Sequence, residues 1–393
     1  MSTFVIIGGG PAAMMAASVL SCQHQVTVYE KGKTIGRKFL VAGKGGFNLT
    51  NSAEGKTLRS AYSPAGFLDE ALKAFDSIAL RQWLNDLGIP TFVGSSGRVF
   101  PKKGIKPIEV LNAIRQHLID QGVHFRLEHE FIGFDDQQKP ILRHQEHEFV
   151  PDANAYLFAL GGASWSVTGS DGSWQKAFTD IGVPIVPFQS SNCGLNVHWP
   201  PQIKEYHLGK PLKNISVSVG AQMVKGEVLI TAYGLEGNAI YPIVPKVRKY
   251  LQSEAASTIY LDLKPDNTRE QLLKKLQGKP RSSATYARAL NLDSVRMALL
   301  KNYTPKAVLE NPQAFVEVVK SLPIPIDSLR PIEEAISTVG GIATNALQSD
   351  FSLKGFPSLF TIGEMVDWDT PTGGFLLQGC FAMGYWVGTR LNQ

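Results

Sequence analysis

Residues 3–30 read TFVIIGGGPAAMMAASVLSCQHQVTVYE, and their order decides the fold class. Residues 3–7 are a short apolar, β-prone run. Gly8-Gly9-Gly10 ends it, and the Ala/Met-rich stretch Ala12 to Leu20 has helix propensity. Residues 25–29 (QVTVY) form a second β-prone run that closes on Glu30. Strand, glycine turn, helix and strand within about 30 residues are a βαβ opening. Gly8, Gly10 and Ala13 fit G-x-G-x-x-A, and Glu30 follows Gly10 by 20 residues. Gly8 permits the tight turn, Gly10 lets backbone approach a pyrophosphate, and Ala13 still allows close helix–sheet packing. A helix start at Pro11 and Ala12 offers unpaired N–H groups and partial positive charge to phosphates. Glu30 suits ribose hydroxyls. In this setting the motif reads as a dinucleotide site; stripped of it, three glycines mark only a turn of an α/β protein.

The rest of the chain bounds that reading. With 393 residues, two domains are expected, because one core rarely grows past about 250–300 residues. The composition, 44% hydrophobic with 37 Gly and 23 Pro, excludes disorder and collagen-like repeats. A net charge of +5 is mild, no concentrated basic stripe stands out, and this argues against a nucleic-acid partner. Cys22, Cys193 and Cys380 form no C-x-x-C, so a zinc ribbon or redox pair is not signalled and no metal is expected. His144 and His147 lie in a polar stretch without helical H-x-x-x-H spacing. The N-terminal apolar run has no preceding Lys or Arg, and no window approaches the roughly 20 apolar residues of a membrane helix. A cytoplasmic protein without a membrane segment is expected.

Further along, residues 65–87 and a stretch opened by Pro107 have helical spacing, and short strands are expected at 123–127, 130–134, 148–150 and 155–160. Past residue 190 the texture turns to strands, and 268–320 is helical in pattern. A βα pattern returns near Ile336, with a strand at 359–362 and a last apolar helix at 375–391. Glycine clusters recur at 43–46, 161–162, 363 and 373–374, where backbone can approach a ligand closely. An early motif followed by several such clusters suits an extended FAD better than NAD.

The segments GGGPAAMMAA, IGRKFLVAGKGGFNLTN (35–51), LGGASW (160–165), TGSDGSW (168–174), KGEVLITAYGLEGNAI (225–240), STVGGIAT (337–344) and LFTIGEMVDWDTPTGGFLLQGC (359–380) cover nearly the whole chain. In them the sequence resembles the YhiN/BaiN-like family of bacterial FAD-dependent oxidoreductases, also described as aminoacetone-oxidase-like. The resemblance implies an α/β, glutathione-reductase-like FAD-binding Rossmann domain interrupted by a β-rich insert with a small helical portion. The boundaries expected are 1–190 with 335–393 for the discontinuous FAD-binding domain, and 191–334 for the insert, β-rich over 191–265 and helical over 266–334. Many relatives carry Arg-Cys before Asn-Leu-Thr-Asn; here Gly46-Phe47 stands there, which marks a subgroup with an AGKGGFNLTN loop and removes thiol chemistry from it.

The resemblance implies contacts to non-covalent FAD from Gly8, Gly10, Pro11, Ala12, Ala13 and Glu30 at the adenosine end. It adds Gly43, Asn48, Leu49 and Thr50 from the loop, Phe131, Gly161 and Gly162 from the middle, and Gly363, Glu364, Asp367, Gly373, Gly374, Phe375 and Leu376 from the C-terminal segment. Glu364 stands where related flavoproteins bind the ribityl chain. The helix after Gly374 is expected to turn its N–H groups toward the flavin pyrimidine. The basic cluster Lys31, Lys33, Arg37, Lys38 and Lys44 reads as neutralising the pyrophosphate, chiefly through Arg37 or Lys38, as recruiting an anionic substrate through Lys44, or as a solvated basic loop. Asp171 reads as a helix cap or a substrate contact, with the cap preferred. The reaction expected is hydride transfer between flavin and a small organic substrate. Either NAD(P)H acts as transient donor to a carbonyl or enone, or O2 accepts electrons. The alternative is a flavoprotein acting on or binding RNA. No catalytic residue and no oligomeric state follow from the sequence.

Overall fold

The computed structural model describes residues 1–41, 46–254 and 257–393. They divide into two compact units, 1–189 with 337–393, and 190–336. The first unit is built on a six-stranded sheet in the order 352–353, 356–361, 155–158, 3–7, 25–30, 124–127. The first strand, β1 (Thr3–Ile7), runs parallel to both neighbours, with Ile6 opposite Val28 and Leu157. Only the edge strand Ser352–Leu353 is antiparallel. The apolar runs TFVII and AYLF have no polar alternation because a parallel sheet is covered on both faces; the rings of Phe131 and Phe134, from a separate antiparallel strand, lie 5.1 and 5.6 Å from Phe158.

After β1 the chain enters helix α1 (Pro11–Leu20), with Pro at its first position, where no intrahelical N–H bond is lost. It then returns as β2 (Gln25–Glu30). The C-terminal helix Phe375–Leu391 packs along α1, and glycines permit the approach. A Cβ at Gly384 would stand 2.3 Å from the Ala12 carbonyl oxygen, and one at Gly388 would stand 2.8 Å from Val19. The expected helix at 65–87 is two helices, Asp69–Ala74 and Ser77–Asp86. Between them Phe75 and Asp76 leave the helical conformation, and Asp76 accepts from the N–H groups of Ile78 (3.0 Å) and Ala79 (2.9 Å), a cap that starts the second helix. Pro107–Asp120 is one helix. The strands His129–Phe134 and His147–Phe149 sandwich Pro140–His144, a strand that sequence reading missed because it opens on proline.

The second unit holds an antiparallel seven-stranded sheet with its own core around Trp199, Ile215, Val217 and Leu261. Five helices between Arg269 and Lys320 precede its last strands. Residues 322–326 and 328–329 are strands of this sheet, so the helical portion ends before the expected 334. Alternating proline and apolar residues in LPIPI suit an edge strand better than a helix.

Candidate active site

The turn between β1 and α1 forms one wall of a cavity in the first unit. Gly8 has φ +104°, and a Cβ there would lie 2.4 Å from the Ala159 carbonyl oxygen, so only glycine fits. Gly10 caps α1 in an extended conformation, and a Cβ on it would meet nothing within 4 Å. The first intrahelical bond is Met14 N–H to Gly10 C=O at 2.9 Å, and no side chain caps the helix. The N–H groups of Ala12 and Ala13 precede that bond.

Glu30, at the end of β2, accepts from Gly9 N–H (2.8 Å) and Gly32 N–H (2.7 Å), one to each carboxylate oxygen. It therefore pins the glycine turn to the neighbouring strand and retains further acceptor capacity. Tyr29, His129 and Phe131 add an aromatic side to the cavity, with the rings of Tyr29 and His129 5.3 Å apart.

Three cations reach the rim from residues 31–38. Lys31 pairs with Asp171 at 2.8 Å, and Arg37 donates to the Val167 carbonyl at 2.8 Å. Lys38 donates to Ser164 Oγ and to Glu364 Oε2, both at 2.7 Å. The other Glu364 oxygen accepts from Thr338 N–H at 3.0 Å and from its hydroxyl at 3.3 Å. Beneath this network Cys380 is buried; burial first, then the nearby Glu364 carboxylate, push its thiol up to about 12. Asp171 is not the helix cap that sequence reading preferred. The helix starts at Gln175 after Trp174, while the Asp171 carboxylate turns back to Ser173 N–H (3.0 Å) and to Lys31. Partial burial raises this carboxyl, but hydrogen bonds from Lys31 and Ser173 outweigh it and hold it below its ordinary range.

Of the residues expected at the site, Gly8, Gly10, Pro11, Ala12, Glu30, Lys31, Arg37, Lys38, Phe131, Gly161, Gly363 and Glu364 line this one cavity. Ala13 is buried beneath the turn. Gly162 is packed so that a Cβ would lie 1.9 Å from Thr338 Oγ1. Asp367 accepts from Gly340 N–H at 3.0 Å. Gly43 and Lys44 lie outside the described residues. Asn48, Leu49, Thr50, Gly373, Gly374, Phe375 and Leu376 are not among the lining residues. In that region Asn51 donates to the Gly373 carbonyl at 3.1 Å, and the Tyr62 hydroxyl donates to that of Phe375 at 2.7 Å. Gly9, Tyr29, His129, Ser170, Trp174 and Cys380 line the cavity without having been singled out. Gly9 was readable as the middle of the triplet, whereas His129 arrives by a crossover that no local pattern reveals.

Among the described residues no helix is long and apolar enough to cross a membrane, and no group of His, Cys, Asp and Glu could hold a metal ion. The family model described as HI0933-like protein Rossmann domain matches residues 2–390. A 3-dehydro-bile acid delta(4,6)-reductase of Clostridium scindens is 24% identical, covering 99% of this chain and 98% of its own. A ribosomal RNA dihydrouridine synthase of Haemophilus influenzae is 22% identical, covering 97% and 96%. In fold, the chain is similar to a 3-ketosteroid delta1-dehydrogenase of Sterolibacterium denitrificans, with TM-score 0.54, 12% identity, and 100% and 99% of the two chains covered. A 3-ketosteroid-delta4-(5alpha)-dehydrogenase of Rhodococcus jostii gives TM-score 0.53 at 12% identity, covering 100% and 97%.

Proposed function

The chain belongs to the HI0933-like family and is an FAD-dependent oxidoreductase, and from that premise we propose that it reduces a carbon–carbon double bond conjugated to a carbonyl group. The observation that carries this reading is full-length similarity to two relatives with unrelated substrates but one reacting unit. A delta(4,6)-reductase of a 3-oxo steroid acts on double bonds conjugated to that oxo group. A dihydrouridine synthase saturates the ring bond of uracil that is conjugated to a carbonyl.

The residues present fit FAD. The Gly10 position, open where a side chain would project, leaves room for a pyrophosphate against the uncapped start of α1. Lys31, Arg37 and Lys38 bring positive charge to the same rim. Glu30 would hold the adenosine ribose with its remaining acceptor capacity, and Tyr29, His129 and Phe131 would shield the adenine side. Bound FAD supplies a two-electron centre able to transfer hydride. The polypeptide holds the buried Glu364 carboxylate through Lys38 and Thr338, so that it is fixed before any ligand arrives. Cys380, kept protonated, adds no charge to the cavity floor. NAD(P)H is the donor in this reading, and the sequence carries no second G-x-G-x-x-G unit to house it separately.

The test is anaerobic. NADH or NADPH is expected to bleach the flavin of the purified protein, and cyclohexenone to restore the colour while losing its own enone absorbance. Colour restored by O2 with no enone consumed would overturn the reading in favour of an oxidase.

A further inference from the structure

We propose that the second unit carries a docking surface for the phosphodiester backbone of RNA, centred on Lys275, Lys279 and Arg288. These three side chains, with Thr285 and Ala289, line an open concavity between the helices Arg269–Leu276 and Ser283–Ala289. Residues 264–301 contain nine Lys or Arg against three Asp or Glu, a surplus of six. That exceeds the surplus of five for the entire chain, so the rest of the protein is close to neutral. The sequence spreads these cations over two helices and a turn; folding gathers them.

The charges that pair elsewhere are separate from the concavity. Arg269 bonds Glu317, and Arg296 bonds Asp293. Among the described residues, Lys274, Lys275, Lys279, Arg281 and Arg288 are exposed and have no carboxylate within 4.0 Å. The field there is felt by a neighbour: the Lys264 ammonium is held below its ordinary value by burial first, then by Arg296 and Lys275. Lys274 and Lys275 also suit the helix C-terminus, but that favours at most a charge or two and accounts for neither Lys279 nor Arg288. Several unpaired cations around one concavity with a hydroxyl match a chain of phosphates. A membrane surface is disfavoured because no large apolar side chain between 264 and 301 is exposed to insert into lipid. In one respect the choice of RNA rests on the reaction proposed above: uracil is a conjugated carbonyl unit that comes attached to a phosphodiester chain.

Fluorescence anisotropy of the FAD-loaded full chain with a labelled single-stranded, uridine-containing RNA tests this. The variant is Lys275→Glu with Lys279→Glu and Arg288→Glu. Its control, Lys56→Glu with Lys102→Glu and Lys103→Glu, makes the same net-charge change on exposed positions of the first unit. Three phosphate contacts give about 20-fold weaker binding when salt rises about fourfold, and the first triple variant is expected to lose that dependence. The control is expected to keep it. Should the charge reversal fail to fold, the corresponding triple Gln variant carries the same expectation in the salt slope. Unchanged binding by the first triple, equal losses in both, or wild-type binding to anionic phosphatidylserine vesicles but not RNA would overturn the proposal. Cyclohexenone reduction, expected unchanged in both triples, separates the two ideas. Its absence from the wild type, with RNA binding as described, would remove the assigned reaction and leave the docking surface.

Discussion

Two glycines open two helices that pack against each other, and they are glycines for opposite reasons. Gly10 precedes α1 with φ −83°, a conformation any residue adopts, and its missing side chain faces open space in the cavity. Gly374 precedes the C-terminal helix with φ +96°, and a Cβ there would stand 2.3 Å from the Thr50 carbonyl oxygen. The first position leaves open space in the cavity; the second spares room for the protein's own backbone. The same sequence signal thus borders a cavity in one place and backbone in the other, and only the surroundings tell them apart.

Placing the same side chain at both positions gives the sharpest test. Gly374→Val forces a β-branched residue into left-handed backbone and into contact with the Thr50 main chain, which cannot swing aside as a side chain can. The expected loss is about 3–5 kcal/mol, seen as a collapse of the melting temperature or as insoluble protein. A folded variant with unchanged melting temperature would show that this junction yields and that the close approach to Thr50 does not require glycine.

Gly10→Val should do the reverse. Its φ and ψ suit valine, so the cofactor-free protein is expected to lose no more than about 1 kcal/mol, the range of a weakened helix cap. FAD binding, measured by flavin fluorescence on reconstitution, should weaken at least 10-fold, about 1.4 kcal/mol. Equal FAD affinity in the variant and wild type would mean that the pyrophosphate lies elsewhere.

The comparison also shows what was legible in the sequence. The βαβ opening and its cavity-lining residues could be read because its motif is complete within about 30 residues of chain, although the Ala159 carbonyl that leaves no room for a side chain at Gly8 comes from the end of a distant strand. The glycine triplet, the strand runs and Glu30 constrain one another locally. Glu30 still held a surprise: its carboxylate ties down Gly9 and Gly32, so it shapes the turn as well as facing the cavity. The pairing of Glu364 with Lys38 spans 326 residues, and Thr50 meets the Gly374 backbone across a similar distance. No spacing rule predicts such meetings, because they depend on how strands far apart in the chain are ordered in the sheet. Asp171 failed for a different reason: an Asp before a helix has two local uses, and a lysine from a distant loop settled which one.

That lysine pair is the place to look for a small effect on the cavity side of the comparison. Lys31 and Asp171 are about a third exposed, so their attraction is screened and should contribute less than about 1 kcal/mol to stability. Yet Thr168, Gly169, Ser170, Ser173 and Trp174 around Asp171 line the cavity together with Lys31, and Arg37 holds the Val167 carbonyl just before them. Asp171→Asn keeps an acceptor oxygen for the local turn at Ser173 and removes the charge together with the oxygen that accepts from Lys31. The variant is expected to melt within a few degrees of the wild type while FAD leaves it a few-fold faster, read by the release of flavin fluorescence after dilution. The folded carboxyl lies below its ordinary value, so its stabilisation is present at neutral pH and disappears as acid protonates it. The difference between the two proteins should therefore be largest at neutral pH and vanish once the solution is more acidic than the folded carboxyl. A difference that persists in acid would mean that Asp171 acts through shape rather than charge, and an unchanged FAD release rate would mean that the segment does not retain the cofactor.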